Sequence, residues 1–153
     1  MANTYTQLYV HMVIVVKGRA NLIPNKHKDE LYKYITTVIQ NRKHKLLAIN
    51  GMPDHIHIFF GLSPDQSISD LSSDIKTAAT KFIKKQPWQR KKFAWQVGFG
   101  AFSYSRSHIS NVATYIENQE EHHKKRTFRE EYLDMLQKFE VEYDERYLFE
   151  FYD

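Results

Sequence analysis

From Tyr5 to Lys17 the chain is rich in Tyr, Val and Ile and contains no proline, the composition of a strand buried on much of both faces. After Pro24 and Asn25, Leu31, Ile35, Val38 and Ile39 recur at helical spacing and predict a helix running to about Lys45. Leu46 to Ile49 and His55 to Leu62 read as two short strands, and the Asn50-Gly51-Met52-Pro53-Asp54 stretch between them suits a turn joining antiparallel partners. Ser67 followed by Asp70 resembles a helix start, and the apolar stripe Leu71, Ile75, Ala78, Ala79 and Phe82 continues it until Pro87 interrupts. Gln96 to Tyr104 alternates with aromatics and contains two glycines, which predicts a fourth strand that comes close to another backbone or a ligand. Ser107 to about Arg126 predicts a third long helix and Thr127 to Phe139 a further one. The aromatic, acidic tail from Glu140 to Asp153 is compatible with a short strand or an arm.

Taken in order, the core elements are β, α, β, β, α, β. This predicts an α+β protein of ferredoxin-like topology, an antiparallel sheet with additional C-terminal helices. That fold serves many functions, RNA-binding modules among them, so it leaves the activity open. A length of 153 residues suits one domain spanning 1–153, with 127–153 as a helical, acidic extension. The absence of cysteine excludes disulfides, thiolate-bound zinc and a cysteine nucleophile. No stretch approaches the roughly 20 apolar residues of a membrane-spanning helix, so a cytoplasmic protein without a membrane partner is expected.

Charge is distributed unevenly. Residues 1–126 hold 19 Lys and Arg against 9 Asp and Glu, a balance of +10, whereas residues 127–153 hold 3 against 9, a balance of −6. A body this basic is the usual footprint of a polyanion partner, because each phosphate neutralised releases counterions. A solvated surface carrying solubilising charge would have the same composition.

On a strand, alternate side chains share a face, so His55 and His57 project together while Ile56 and Ile58 point the other way. Two neutral imidazoles held side by side suit a divalent metal, although paired histidines in a strand also occur as hydrogen-bonded structural residues. On the third helix, Ile109, Val112, Ala113 and Ile116 form the apolar stripe, and Asn111, Tyr115, Asn118, Gln119 and His122 fall along a polar strip beside it. Tyr115 and Gln119 are thereby one turn apart.

These residues resemble the single-tyrosine HUH transposases of small bacterial insertion sequences, the TnpA type. The two histidines flanking a hydrophobic residue are His55, Ile56 and His57, and the tyrosine followed four residues later by glutamine lies in Tyr115-Ile-Glu-Asn-Gln119. The likeness extends over nearly the whole chain, and the acidic tail is its weakest part. It implies that the Tyr115 hydroxyl attacks a DNA phosphodiester, giving a 5′-phosphotyrosine link and a free 3′-hydroxyl that can later reverse the reaction. It also implies Mg²⁺ or Mn²⁺ held by His55, His57 and Gln119, single-stranded DNA with hairpin ends as substrate, and a homodimer whose active site can be shared between subunits. No nucleotide cofactor is expected, since transesterification conserves bond energy.

The candidates for DNA-backbone contact are Lys17 and Arg19, then Lys81, Lys84, Lys85, Arg90, Lys91 and Lys92 at and beyond the end of the second helix, with Lys76 earlier on it, and Lys124, Lys125 and Arg126 near Gln119. Asp54 could orient His55 as a supporting carboxylate or serve only its turn. His11 and His108 are read as structural or phosphate-contacting, and Trp88, Trp95 and Phe102 as core residues before base-stacking ones. Replication initiators and relaxases share the histidine pair in larger chains. The reading from another class is a noncatalytic ferredoxin-like module that binds single-stranded nucleic acid.

Overall fold

A computed structural model describes residues 3–89 and 92–148, the Arg19 side chain excepted; Arg90, Lys91 and residues 149–153 lie outside it. The strands are β1 (Tyr9–Val15), β2 (Lys45–Met52), β3 (His55–Gly61) and β4 (Gly100–Tyr104). The helices are α1 (Lys28–Asn41), α2 (Ile68–Lys84), α3 (Ile109–Glu117), α4 (Gln119–His123) and α5 (Phe128–Lys138). The sheet order is β2-β3-β1-β4 with every neighbour antiparallel. This is the ferredoxin-like arrangement that the element order predicts. The tail contributes only a 3₁₀ turn, Glu145–Tyr147, among its described residues, and no strand.

The central strands β1 and β3 are buried on both faces. Val10, Met12 and Ile14 of the first and Val16 just beyond it, with Ile56, Ile58 and Phe60 of the other, meet Leu31, Ile35 and Ile39 of α1 and Leu71, Ile75, Ala79 and Ile83 of α2. The opposite face is covered in two pieces. α5 seats Phe128, Tyr132, Met135 and Leu136 on Val13, Val15 and Phe102, while α3 seats Val112 and Ile116 on Ala48 and Phe59. Register across β1 and β3 pairs Val13 with His57 and Val15 with His55, which fixes the histidine pair at one end of the sheet.

Several boundaries differ from those the sequence predicts. α1 stops at Asn41 because Arg42 caps it and Lys43 adopts a left-handed φ of 68°, a helix end for which glycine is the usual signal. The fourth strand is short, and its predicted first half is an extended approach in which Trp95 bridges Val16. The close approach expected there falls at Gly100, where a Cβ would lie 2.5 Å from the Tyr132 hydroxyl of α5. The largest correction concerns the third helix. It is not continuous from Ser107 to Arg126 but ends at Asn118, whose φ of −98° and ψ of 27° turn the chain before α4 begins.

Candidate active site

The β2–β3 hairpin turns through Pro53 and Asp54, so His55 enters β3 with a carboxylate immediately before it. Gly51 makes that tight pairing feasible, because any Cβ there would sit 2.2 Å from the His55 carbonyl oxygen. Asp54 Oδ1 lies 2.7 Å from His55 Nδ1, which places the ring proton on Nδ1 and turns the Nε2 lone pair inward. That Nε2 is buried without a hydrogen-bond partner. Burial pushes the His55 pKa down against the opposing pull of Asp54, so the ring is neutral and fit to ligate.

His57 is held at both nitrogens. Its Nδ1 is 2.7 Å from His11 Nε2, and its Nε2 is 3.1 Å from Glu131 Oε1. His11, read from sequence as structural or phosphate-contacting, thus orients His57. Burial, and then the neighbouring His57, lower its own pKa well below the usual imidazole value.

Gln119 follows Ile116 by three positions and Val112 by seven, so it continues the buried side of α3 past the turn at Asn118, and its exposure is 0%. Its amide then bridges His123 Nε2 at 3.1 Å and Glu131 Oε2 at 3.3 Å. Tyr115 stays half-buried and donates its hydroxyl to the same Glu131 oxygen. Its ring stacks on His122 at 4.4 Å and meets His57 edge-on at 6.3 Å. Burial and the adjacent carboxylate push the Tyr115 pKa upward, so in this arrangement the phenol is firmly protonated.

Glu131, on α5, is where these groups converge. Burial alone would raise its pKa, but the neighbouring His57, the nearby His123 and the hydrogen bond from Tyr115 outweigh that and hold the carboxyl far below the usual range. His55, His57, His123 and Glu131 each offer a ligand atom, and all four lie within 4.8 Å of one another. His55, a neutral imidazole with an orphaned lone pair, beside an ionised carboxylate makes a donor set that fits a divalent cation. Neither Glu131 nor His123 was among the metal-site candidates from sequence. The available signal was that Glu131 falls on the apolar stripe of α5 between Phe128, Tyr132 and Met135, where a carboxylate is out of place.

Two cavities flank this cluster. One, of about 380 Å³, reaches His55 and His123 past Pro53, Thr127 and Phe128. The other, of about 210 Å³, holds Tyr115, His11, Arg126 and Lys138. Arg126 approaches Tyr115 there and also meets Asp134 at 3.5 Å.

The remaining basic candidates do not all gather at this site. Lys17 follows the end of β1 that pairs with His55, and Lys124 and Lys125 are exposed just beyond α4. Lys81 and Lys84 belong to α2, which covers the other face of the sheet, Lys85 caps its end, and Lys92 is exposed beyond it. Lys76 instead donates to the Gln96 and Gly98 carbonyls. The Arg19 side chain, Arg90 and Lys91 lie outside the described residues. Phe102 is core, Trp95 packs against the core, and Trp88 stacks on His27 at 5.2 Å. His108 bonds locally to Ser105.

Fold and site together define a ferredoxin-like α+β protein in which a histidine pair and a tyrosine meet around one buried carboxylate. The sequence pattern of the IS200-like transposases matches residues 4–119, and the chain belongs to that family. It is 24% identical over 118 residues to the ISDra2 transposase TnpA of Deinococcus radiodurans, which covers 74% of this chain and 84% of that one. Its fold is similar to that of a solved D. radiodurans R1 protein assigned as a transposase, with a TM-score of 0.59, 23% identity, and coverage of 76% of this chain and 94% of the other. It is also similar to a REP-associated tyrosine transposase solved with a REP hairpin, with a TM-score of 0.57, 18% identity, and coverage of 76% and 68%. Membership makes the chain a transposase, a class of nucleases and strand transferases, and implies a divalent metal. No described helix is long and apolar enough to cross a membrane.

Proposed function

We propose that this transposase acts in the cytoplasm as one domain over residues 1–153, binds hairpins at transposon ends, and cuts and rejoins single-stranded DNA through Tyr115. The observation that carries the reading is that Tyr115 and His57 bond the two oxygens of a single carboxylate, so the nucleophile and the histidine pair occupy one site. In the cleavage step a bond forms between the Tyr115 oxygen and phosphorus as the bond to the 3′-oxygen breaks. The phenol gives up its proton, and the departing 3′-oxygen takes one. The product is a 5′-phosphotyrosine and a 3′-hydroxyl, and the reverse reaction at a new junction rejoins the strand.

An unperturbed phenol titrates near pH ~10 and is a poor nucleophile at neutrality. The upward push on Tyr115 makes assistance more necessary still. His55, His57 and Gln119 would hold Mg²⁺ or Mn²⁺, with Asp54 and His11 fixing the two rings. Such an ion would polarise a nonbridging phosphate oxygen and offset developing charge. Arg126, with Lys17, Lys124 and Lys125 around the site, supplies further positive charge for the strand. The lysines of α2, together with Arg19, Arg90, Lys91 and Lys92, suit more distant stretches of backbone. The REP hairpin in the related complex supports a hairpin substrate, and the family resemblance supports a homodimer with a site that subunits can share.

The test is a denaturing gel of the protein with Mn²⁺ and single-stranded DNA carrying its element's end. We expect a covalent adduct in wild type that disappears in Tyr115→Phe. His57→Ala or Gln119→Ala should weaken cleavage while leaving hairpin binding intact. Tight binding of the cognate strand with no adduct would instead identify a noncatalytic nucleic-acid-binding module.

A further inference from the structure

We infer that Glu131, delivered by α5 from beyond the family-matching segment, is a metal ligand that gives the His55–His57 site its negative charge. This rests on the metal reading above and deepens it. The carboxylate is fully buried, and burying such a charge is unfavourable unless strong partners surround it. Its partners are the groups a cation would join. Oε1 lies 3.1 Å from His57 Nε2 and 3.6 Å from His123 Nε2. Two cis ligands of an octahedral ion with bonds of about 2.1 Å stand roughly 3 Å apart, and trans ligands roughly 4.2 Å. Ligand atoms of His55, His57, His123 and Glu131 lie within 4.8 Å of one another, slightly wider than that span, and the Gln119 amide oxygen stands 3.1 Å from His123 Nε2 beside them. His55 Nε2 is the second, independent sign, being buried, aimed into the cluster and without a hydrogen-bond partner.

Gln119 fits beside Glu131 without competing with it. Its amide nitrogen donates to Glu131 Oε2 at 3.3 Å, which leaves the amide oxygen, now facing His123, as the ligating end. The resulting set is two imidazoles, one amide oxygen and one carboxylate. The carboxylate adds a hard, anionic oxygen to otherwise neutral donors, which favours Mg²⁺ and Mn²⁺ over softer ions. It also ties the acidic C-terminal segment to the site, so that α5 covers the sheet and completes the ion's ligands in one placement.

Isothermal titration of metal-free protein with Mn²⁺ alone, with no DNA present, reads this directly. Glu131→Gln keeps size and hydrogen-bonding capacity and should weaken Mn²⁺ binding about tenfold or more, a loss of about 1.4 kcal/mol per tenfold. His57→Ala should abolish binding. Unchanged or tighter binding in Glu131→Gln, with loss in His57→Ala, overturns the role of Glu131 and leaves the histidine site standing. No binding by wild type overturns both. Because Glu131→Gln could disturb α5, wild-type crystals soaked in Mn²⁺ provide a second measurement. An anomalous peak bonded to Glu131 and the histidines supports the assignment, and an ion on the histidines with Glu131 turned away refutes it.

Discussion

The two faces of the sheet are built from the same strands and solve different problems. From β1, Val10, Met12 and Ile14 go to one side and His11, Val13 and Val15 to the other; from β3, Ile56, Ile58 and Phe60 go one way and His55, His57 and Phe59 the other. Under α1 and α2 every inward residue of this set is apolar, and packing there has only to exclude water and fill space. Under α3 and α5 the apolar surface is divided into two small clusters, and the groups between them are imidazoles, an amide, a phenol and a carboxylate. Each buried polar atom there needs a partner. Asp54 serves His55, His11 serves His57, and Gln119 is bonded at both ends. Packing volume governs the first face, and hydrogen-bond partners are an added demand on the second.

The largest expected effect tests the volume-dependent face. Phe60 is wholly buried beneath α1 and α2, so Phe60→Ala removes packing with no polar compensation and should cost about 3–5 kcal/mol. For a chain of this length that lowers the melting temperature on the order of 10 °C. The folded fraction should still bind Mn²⁺ with wild-type affinity, measured below the transition. A specific loss of Mn²⁺ affinity in folded Phe60→Ala protein would mean that the two faces are coupled and that the contrast drawn here is wrong.

The same contrast explains what was legible in the sequence. Alternation along β1 and β3 is local, so the strands, their shared face and the His55–His57 pair could be read directly from spacing. The apolar stripes of α1, α2 and α3 were equally plain, and with them the element order and the ferredoxin-like topology. What escaped were the contacts set by distant packing. Asn118 is a residue type that can end a helix, but one Asn inside a long polar strip did not mark the break, and the burial of Gln119 beside Ile116 depends on what packs over it. His11 becomes the partner of His57 only through the register that sets Val13 opposite it. Glu131 lies 74 positions beyond His57, in the segment whose charge balance is −6 rather than in the basic body that holds the histidine pair. Its place on the apolar stripe of α5 was the one local sign of burial.

Gly51 gives an intermediate prediction in which backbone geometry, with no side chain lost, acts on the site face. A methyl at this position meets the His55 carbonyl oxygen and, at 2.9 Å, the Ile56 Cα, and neither can rotate away. Gly51→Ala should therefore push β2 from β3 at the histidine end and cost about 1–3 kcal/mol. Because the displaced residue is a proposed ligand, Mn²⁺ affinity should fall more than the modest stability loss suggests. Calorimetric melting and metal titration of the same preparation compare the two. If stability falls and affinity holds, the histidine pair does not depend on the hairpin for its placement.

The smallest effects give the cleanest comparison, because the helices covering the two faces begin with nearly the same chemistry. Ser67 Oγ accepts from the Asp70 N–H at 3.0 Å to cap α2, and Thr127 Oγ1 accepts from the Glu130 N–H at 3.1 Å to cap α5. Thr127 has the added reciprocal bond of a capping box, with the Glu130 carboxylate reaching back to its N–H at 3.4 Å. Ser67→Ala and Thr127→Ala should each cost about 1 kcal/mol and shift melting by only about 3 °C. Their consequences for the metal should diverge. Loosening the start of α2 disturbs a helix that packs on the apolar face of the sheet, so Mn²⁺ affinity should not change. Loosening α5 frees the turn that carries Phe128, stacked on the His55 ring at a centroid distance of 3.9 Å, and Glu131, the residue after Glu130 of the capping box. A few-fold weaker Mn²⁺ binding is expected for Thr127→Ala alone. Equal affinities in both variants would show that the packing of Tyr132, Met135 and Leu136 seats α5 without help from its cap, and that the carboxylate is positioned by the hydrophobic contacts around it.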